Sequence, residues 1–349
     1  NSTRQSRVAR TVIWIAVGSS TSGRWRTIAS RKKDPQLEPK LLELVAPNTA
    51  GDPMSSRKWL NCRLQDIQER LGKHRVSTPV ISRLLRAHDY HLRGNHKEIC
   101  AKQDPERNQQ FEHIQEQRQQ HEATGEPKIS TDTKKKELIG NFKNSGQIWC
   151  QAAEQVNAHD FKQDALGRAV PYGVYDLQFN QGTVYLGRSA DTPAFAVDNI
   201  AEWCATERLE RFPNSTRLMI ETDCGGSNSA VSRAWKYHLQ ENVSDRFGLI
   251  VTVCHYPTGA SKWNPIEHRL FSEISKTWAG CPLRTFVIAA QYIRETKTKT
   301  GLTVRAHLVR KKYATGEKIS DEMMATLNIT HHTVCPQWNY TIYPRRLIQ

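Results

Sequence analysis

The chain lacks any apolar run long enough to cross a bilayer, and it lacks any pair of cysteines spaced Cys-x-x-Cys. A spanning helix needs about 20 consecutive apolar residues. The best candidate, Val12-Ile13-Trp14-Ile15-Ala16-Val17 behind three arginines, faintly resembles a signal peptide. Its apolar core is too short, and the DNA-binding features downstream argue against export. The eight cysteines, at 62, 100, 150, 204, 224, 254, 281 and 335, are scattered. That spacing excludes a zinc ribbon and fits reduced thiols in a cytosol. Acidic residues are also scarce, 35 against 50 Lys and Arg. The shortage is local: residues 1–97 hold 19 Lys and Arg but 7 Asp and Glu, a net of +12, which leaves +3 for the other 252 residues. Such asymmetry points to a nucleic-acid-binding N-terminal part. A length of 349 residues suggests two or three domains.

Residues 1–35 carry no pattern to which structure can be assigned. From Leu41 the pattern turns helical, and Gly51-Asp52-Pro53 breaks it. Ser55 or Ser56 can cap a helix in which Leu60, Leu64, Ile67 and Leu71 recur, and Gly72 can end it. Thr78-Pro79 opens a second helix that buries Val80, Ile81, Leu84 and Leu85 and exposes Ser82, Arg83 and Arg86. Two short helices, a tight turn and a basic second helix fit a helix-turn-helix, although an ordinary helical hairpin has the same pattern. The local charge favours DNA, with Ser77, Thr78, Ser82, Arg83 and Arg86 as contacts and residues 90–97 as a basic wing. Residues 103–126 are polar, with Phe111 and Ile114 as the sizeable apolar residues, and read as a solvated linker helix.

The remainder reads as α/β. A strand at about 127–133 ends in Asp132, a hairpin follows around Asn180-Gln181-Gly182, and Thr192-Pro193 starts a helix. The strand from Arg217 ends in Asp223 before Cys224-Gly225-Gly226, a helix runs from about Ser227 to Gln240, and residues 249–254 form a continuous apolar strand. The order is three strands, helix, strand, helix, strand, helix. It gives a mixed sheet with helices on both faces and its site at the strand ends. In Ser261-Lys262-Trp263-Asn264-Pro265-Ile266-Glu267-His268-Arg269-Leu270-Phe271, Asn264 reads as an N-cap and Pro265 as the first helical residue. Glu267 at the third position could close a capping box. The helical wheel argues otherwise, because Glu267 falls within the stripe of Ile266, Leu270, Phe271, Ile274 and Trp278. A carboxylate on a buried face is costly unless a cation or metal pairs with it. Each Asp alone could be plain turn chemistry. Two strand ends and one helix start, each with an acid, form a set.

That order, and the blocks that carry it, resembles the ribonuclease-H-like core of DDE transposases. The blocks look like those of the ISAzo-thirteen family of bacterial insertion-sequence transposases, with mariner-like enzymes more distant. The likeness lies in Ile129-Ser130-Thr131-Asp132-Thr133-Lys134-Lys135-Lys136-Glu137 and on to Asn144, and in Val156-Asn157-Ala158-His159-Asp160-Phe161. It continues in Pro171-Tyr172-Gly173-Val174-Tyr175-Asp176, in Asp223-Cys224-Gly225-Gly226-Ser227-Asn228 and in the run around Glu267. It extends through Thr298-Lys299-Thr300-Gly301-Leu302-Thr303-Val304 to Trp338-Asn339-Tyr340-Thr341-Ile342. It covers about residues 34–345 and departs at residues 1–30 and at 147–156, which looks shortened. It implies Asp132, Asp223 and Glu267 as a catalytic triad holding Mg²⁺, with Mn²⁺ as a substitute.

Such carboxylates suit hard divalent ions in an in-line phosphoryl displacement, with water freeing an element end and the freed 3′-OH attacking target DNA. Lys134, Lys135 and Lys136 could grip phosphates or form a solvated loop. Residues 284–318, with nine Lys and Arg and two Asp and Glu, offer a second backbone surface. The implied partners are element-end and target duplexes and further copies of the chain, in a bacterial cytoplasm near the nucleoid. The domain reading is 1–35 undefined, 36–100 helix-turn-helix, 101–126 linker, 127–283 catalytic and 284–349 a basic C-terminal extension. Two other functions remain open: a nuclease of the same fold without strand transfer, and a decayed transposase that only binds DNA.

Overall fold

The structure, a computed structural model, describes residues 13–15, 34–46, 49–51, 58–60, 63–74, 76–88, 90, 105–260 and 263–345. The chain divides into two compact units, Asn1–Ile99 and Cys100–Gln349. Among the described residues no helix is long and apolar enough to cross a membrane.

In the first unit three helices, α1 (Leu37–Val45), α2 (Leu64–Leu71) and α3 (Thr78–Ala87), enclose a small core. Leu37, Leu41, Val45, Ile67, Leu71, Val76, Ile81, Leu84 and Leu85 fill it. Gly72 ends α2 with φ +42°, a backbone region that favours glycine. Helix α2 starts later than the recurrence of Leu60, Leu64, Ile67 and Leu71 suggests. The Arg63 amide donates to Asp66 Oδ2 at 3.2 Å, and Leu60 falls in a strand instead. Ser55 and Ser56 lie outside the described residues, as do 91–97 of the expected wing. Ser77, not Thr78, precedes α3, with Pro79 in its first turn. Two histidines tie α1 to the other helices. His74 Nδ1 lies 2.6 Å from Asp34 Oδ2, and His88 Nε2 lies 2.7 Å from Glu38 Oε1. In the segment left unassigned from sequence, β1 (Ile13–Ile15) pairs antiparallel with β3 (Lys58–Leu60), which also pairs with β2 (Thr49–Gly51).

The second unit is a nine-stranded mixed sheet. Its strands are β4 (Lys128–Thr133), β5 (Glu137–Ile139), β6 (Gly167–Asp176), β7 (Gln181–Gly187), β8 (Arg217–Thr222), β9 (Ile250–His255), β10 (Thr303–Leu308), β11 (Ile329–His331) and β12 (Asn339–Ile342). Along the sheet the order is β10-β7-β6-β4-β8-β9-β12-β11, with β5 on β6. The central five make the ribonuclease-H-like pattern: β7, β6 and β4 form an antiparallel meander, and β8 and β9 run parallel to β4. The C-terminal segment closes both edges, β10 parallel to β7 and β12 antiparallel to β9. One face is covered by α5 (Pro193–Trp203) and α6 (Arg233–Leu239) over Ile129, Val174, Ile220 and Val253. Helix α6 starts at Arg233 rather than near Ser227, because Ser232 caps it and Gly226–Asn228 makes a separate turn. The other face carries α7 (residues 265–277, with the wide turn Glu267–Phe271) and α8 (Phe286–Glu295).

Helix α4 (Arg107–Ala123) corrects an expectation: it is not a solvated linker but is docked on the sheet. Its apolar contribution is small, Ile114 and Phe111 against Met219, Cys254 and Tyr256. Paired polar groups do the rest. Gln110 is fully buried and donates to the His255 carbonyl and to Asn339 Oδ1, both at 2.8 Å. Arg118 forms a fork with both oxygens of Glu221, a fully buried carboxylate that also accepts from the Tyr256 hydroxyl at 2.6 Å. Its sequence hides this, since a polar stripe with specific partners reads like a solvated one.

Removing one member of a buried ion pair strands the other charge. Arg118→Ala should therefore cost about 3–5 kcal/mol of stability, and adding Glu221→Leu to Arg118→Met should recover most of it. Chemical denaturation of the full chain measures both. A loss below about 1 kcal/mol would mean that water replaces the guanidinium, as at surface pairs.

Candidate active site

Parallel pairing of β4 with β8 sets Thr131 opposite Thr222, so Asp132 and Asp223 leave adjacent strands at one end of the sheet. Side chains alternate along a strand. Asp132 therefore shares the face of Ser130, and Asp223 that of Glu221, the face on which α4 and α7 lie.

Helix α7 is fastened to β4 by three bonds. The Ser130 hydroxyl donates to Asn264 Oδ1 and accepts from the Ile266 amide at 3.2 Å. Asn264 Nδ2 reaches the Thr131 carbonyl at 3.4 Å. Asn264 is thus a fully buried clamp between helix and strand, a role beyond the cap read from sequence. Two glycines let the helix lie close. A Cβ on Gly173, the residue paired with Asp132, would sit 2.6 Å from Phe271, and one on Gly182 would overlap Leu270. Ile266, Leu270, Phe271, Ile274 and Trp278 are all buried, as the stripe predicts. Glu267, on the same stripe, turns its carboxyl to Asp132 and Lys134.

Burial raises all three acids, and neighbouring carboxylates add to it at Asp132 and Asp223. Burial first, then the charge of Asp223, holds the Asp132 carboxyl well above the usual range, and Glu267 and Asp191 add to this. The Thr133 amide, donating to Asp132 Oδ1 at 2.7 Å, pulls the other way. Asp223 is raised by burial, then by Glu267 and Asp191, against a bond from the Gly225 amide. Glu267 is raised by burial and drawn back by the charge of Lys134. Oxygen donors, partial burial and mutual repulsion suit a hard divalent cation. Among the described residues no group of three or more His, Cys, Asp or Glu side chains is gathered so as to hold a metal ion, so the three acids act on one another's charge without forming a ready-made ligand set.

Lys134 departs from the expected DNA contact. Its ammonium is buried, 3.6 Å from Glu137 and 4.8 Å from the centre of the Trp278 ring, where burial lowers its affinity for a proton. Lys135 and Lys136 are exposed, and Lys136 pairs with Asp191. Of the residues in the first unit, Ser77, Arg83 and Arg86 are exposed and Thr78 and Ser82 half-buried. In the C-terminal basic stretch Arg284, Arg305 and Lys311 are engaged with Glu154, Glu210 and Asp198.

Sequence reasoning missed Asp191, the clamp of Ser130, and a relay behind Asp223. His255 is fully buried, its Nδ1 3.0 Å from the Asp223 carbonyl and its Nε2 3.2 Å from the Tyr340 hydroxyl. The carbonyl can only accept, so Nδ1 carries the proton and Nε2 accepts from Tyr340. The Trp235 indole donates to that hydroxyl at 2.8 Å. Burial pushes the imidazole down to about 4, which keeps it neutral as it fixes the Asp223 backbone. No motif marks these partners; they come from β9, β12 and α6.

An acid raised in the fold favours the fold when protonated. Stability is therefore lost as pH rises from the unfolded carboxylate value, about 3.9, through the raised one, and the loss persists above it. In metal-free buffer Asp132→Asn should melt above the parent at about pH 7.5, with the gap narrowing toward about pH 4.5. Thermal melts with chelator test this. A variant that melts lower at neutral pH would mark the carboxylate as a net structural partner.

A protein-family model described as "Rhodopirellula transposase DDE domain" matches residues 40–344. No match is found among the curated proteins. Similar solved structures include "Mos1 transposase paired-end complex with left transposon end", 13% identical over 80% of this chain and 74% of that chain, with a TM-score of 0.40. Another is "Crystal structure of the Mos1 mariner paired end complex with Mn", 14% identical with the same coverage and a TM-score of 0.41.

Proposed function

The chain belongs to the transposase DDE-domain family matched over residues 40–344 and is a DNA transposase, and on that premise we propose that it binds the ends of an insertion sequence, cuts them and joins them to target DNA through Asp132, Asp223 and Glu267. The supporting observation is the meeting of three partly buried acids, two from adjacent strand ends and one from a helix clamped to the first strand. Mg²⁺, or Mn²⁺ in its place, is the cation proposed for them. Bound there, it would activate the attacking oxygen and stabilise the leaving 3′ oxygen. The chain's own work is positional. The Asp132 carboxylate accepts from the Thr133 amide and the Asp223 carboxylate from the Gly225 amide, while His255 bonds the Asp223 backbone carbonyl, and these bonds would orient the two acids toward the cation. Glu267 enters from the helix side. Lys135 and Lys136, exposed beside this edge, are proposed to meet the DNA backbone.

Asp132→Ala, Asp223→Ala and Glu267→Ala should each abolish Mg²⁺-dependent cleavage and leave binding of element ends unchanged. The assay is cleavage and joining of a labelled element-end duplex, beside a binding assay. Full cleavage by Glu267→Ala would return that residue to a capping role. Cleavage without joining would identify a nuclease of the same fold, and binding alone by the parent protein a decayed transposase.

Recognition is proposed for α2 and α3, the helix-turn-helix pair, with several copies of the chain assembling on DNA in the bacterial cytoplasm. Arg83 and Arg86 are exposed, one turn apart on α3. At least one should reach a base edge. Its loss costs about 1–3 kcal/mol and relaxes specificity at that base. Loss of a phosphate contact instead weakens all sequences alike and lowers the salt slope by about one. The full chain and each Arg→Ala variant, titrated with element-end and scrambled duplexes across a salt series, decide between these. If neither arginine changes affinity, recognition lies elsewhere in the chain.

A further inference from the structure

Asp191 lies outside the three acids, on the segment between β7 and the Thr192 cap of α5. Both its oxygens are held. Oδ1 accepts from the Thr133 hydroxyl at 3.1 Å, and Oδ2 lies 3.1 Å from Lys136 Nζ. Thr133 follows Asp132 directly, and its hydroxyl also lies 3.4 Å from Ser227 Oγ, on the turn after Asp223. One hydroxyl thus joins three segments that each carry an acid. The ion pair is lopsided. The Asp191 side chain is 10% exposed and fixed, whereas Lys136 is 38% exposed on a long stem. An ammonium so placed is weakly committed to its partner and can exchange it for a phosphate.

We propose that Asp191 is a fourth, positioning acid of the metal site and that Lys136 is its DNA-responsive latch. In the DNA-free protein Lys136 masks the Asp191 charge and limits repulsion among four neighbouring carboxylates. When a DNA phosphate draws Lys136 away, Asp191 is unmasked beside Asp132 and Asp223, and the affinity of the site for a divalent cation rises. The coupling is reciprocal: a cation held by the acids repels Lys136 toward the phosphate. This rests on the reading that Asp132, Asp223 and Glu267 hold divalent ions.

The test is Mn²⁺ titration of the full chain without DNA, followed by electron paramagnetic resonance, for the parent, Lys136→Gln, Asp191→Asn, the double variant and Asp132→Asn. Circular dichroism confirms folding, and Asp191→Ser replaces Asp191→Asn if the latter fails to fold. Lys136→Gln should tighten Mn²⁺ binding by about five-fold or more, within the usual range of coupling between sites. Asp191→Asn should weaken it. In the Asp191→Asn background, Lys136→Gln should have little effect, because the charge it unmasks is gone. Equal tightening with and without Asp191 would overturn the latch and leave Lys136 a general surface charge, as would no tightening at all. If Asp132→Asn abolishes Mn²⁺ binding while the cycle is additive, the latch falls and the metal site stands. If the parent shows no Mn²⁺ binding that Asp132→Asn removes, the site reading falls and takes the latch with it.

Discussion

The Ser130 hydroxyl sets the geometry on which the site depends. It sits two residues before Asp132 on the same strand face, and it bonds both Asn264 and the Ile266 amide, the residue before Glu267. A helix start leaves amides without intrahelical partners, and a buried one is costly if unpaired. Here the strand supplies the missing acceptor, so satisfying the helix end and placing the third acid are the same event. Gly173 and Gly182 make the approach possible by leaving room for Phe271 and Leu270. A site carried by a strand and a helix fastened in this way is more sharply placed than one carried by loops.

The difference between structural and chemical carboxylates on this sheet is who neutralises them. Glu221 and Asp223 are two residues apart on β8 and its exit. Glu221 is matched from within, by the guanidinium of Arg118 and the hydroxyl of Tyr256. Asp223 has an amide bond and two neighbouring negative charges, and under the proposed function its burial and repulsion are offset by an external cation. Helix α4 thus neutralises Glu221 and leaves Asp223 to its own surroundings. By docking Arg118 and Gln110 it bonds to β8 and β9, and Asp223 at the exit of β8 receives no cation from it. The His255 relay bonds the Asp223 backbone.

Much of this was legible. The apolar stripe around Glu267 and the strand–helix order led to the sheet and to α7, because periodicity and burial leave marks in sequence. The parts that stayed hidden depend on pairings between distant segments. Helix α4 has almost no apolar stripe, so its docking through Gln110 to Asn339 could not be read from its own residues. Lys134 belongs to a lysine run, yet the turn after β4 sends it inward onto Trp278 while its two neighbours face out. Asp191 stands in no motif of the sequence, and only the fold brings it to Thr133. Ile13–Ile15 became a strand because Lys58–Leu60 offered an edge, a long-range pairing that no local signal encodes.

The uneven charge of the chain acquires a physical sense from these pairings. The excess is concentrated in residues 1–97, while in the larger unit several cations are engaged with that unit's own acids, as Arg284, Arg305 and Lys311 are. Counterion release scales with the number of cations that neutralise phosphates. The catalytic unit thus has little sequence-independent pull on DNA. Under the proposed function, that weakness is useful. A cutting site that bound any duplex strongly would work wherever it landed. One that depends on a tethered recognition unit for its local concentration works where that unit has bound. Recognition and chemistry can then sit on separate units, and the near-neutral body of the enzyme itself restrains where it cuts.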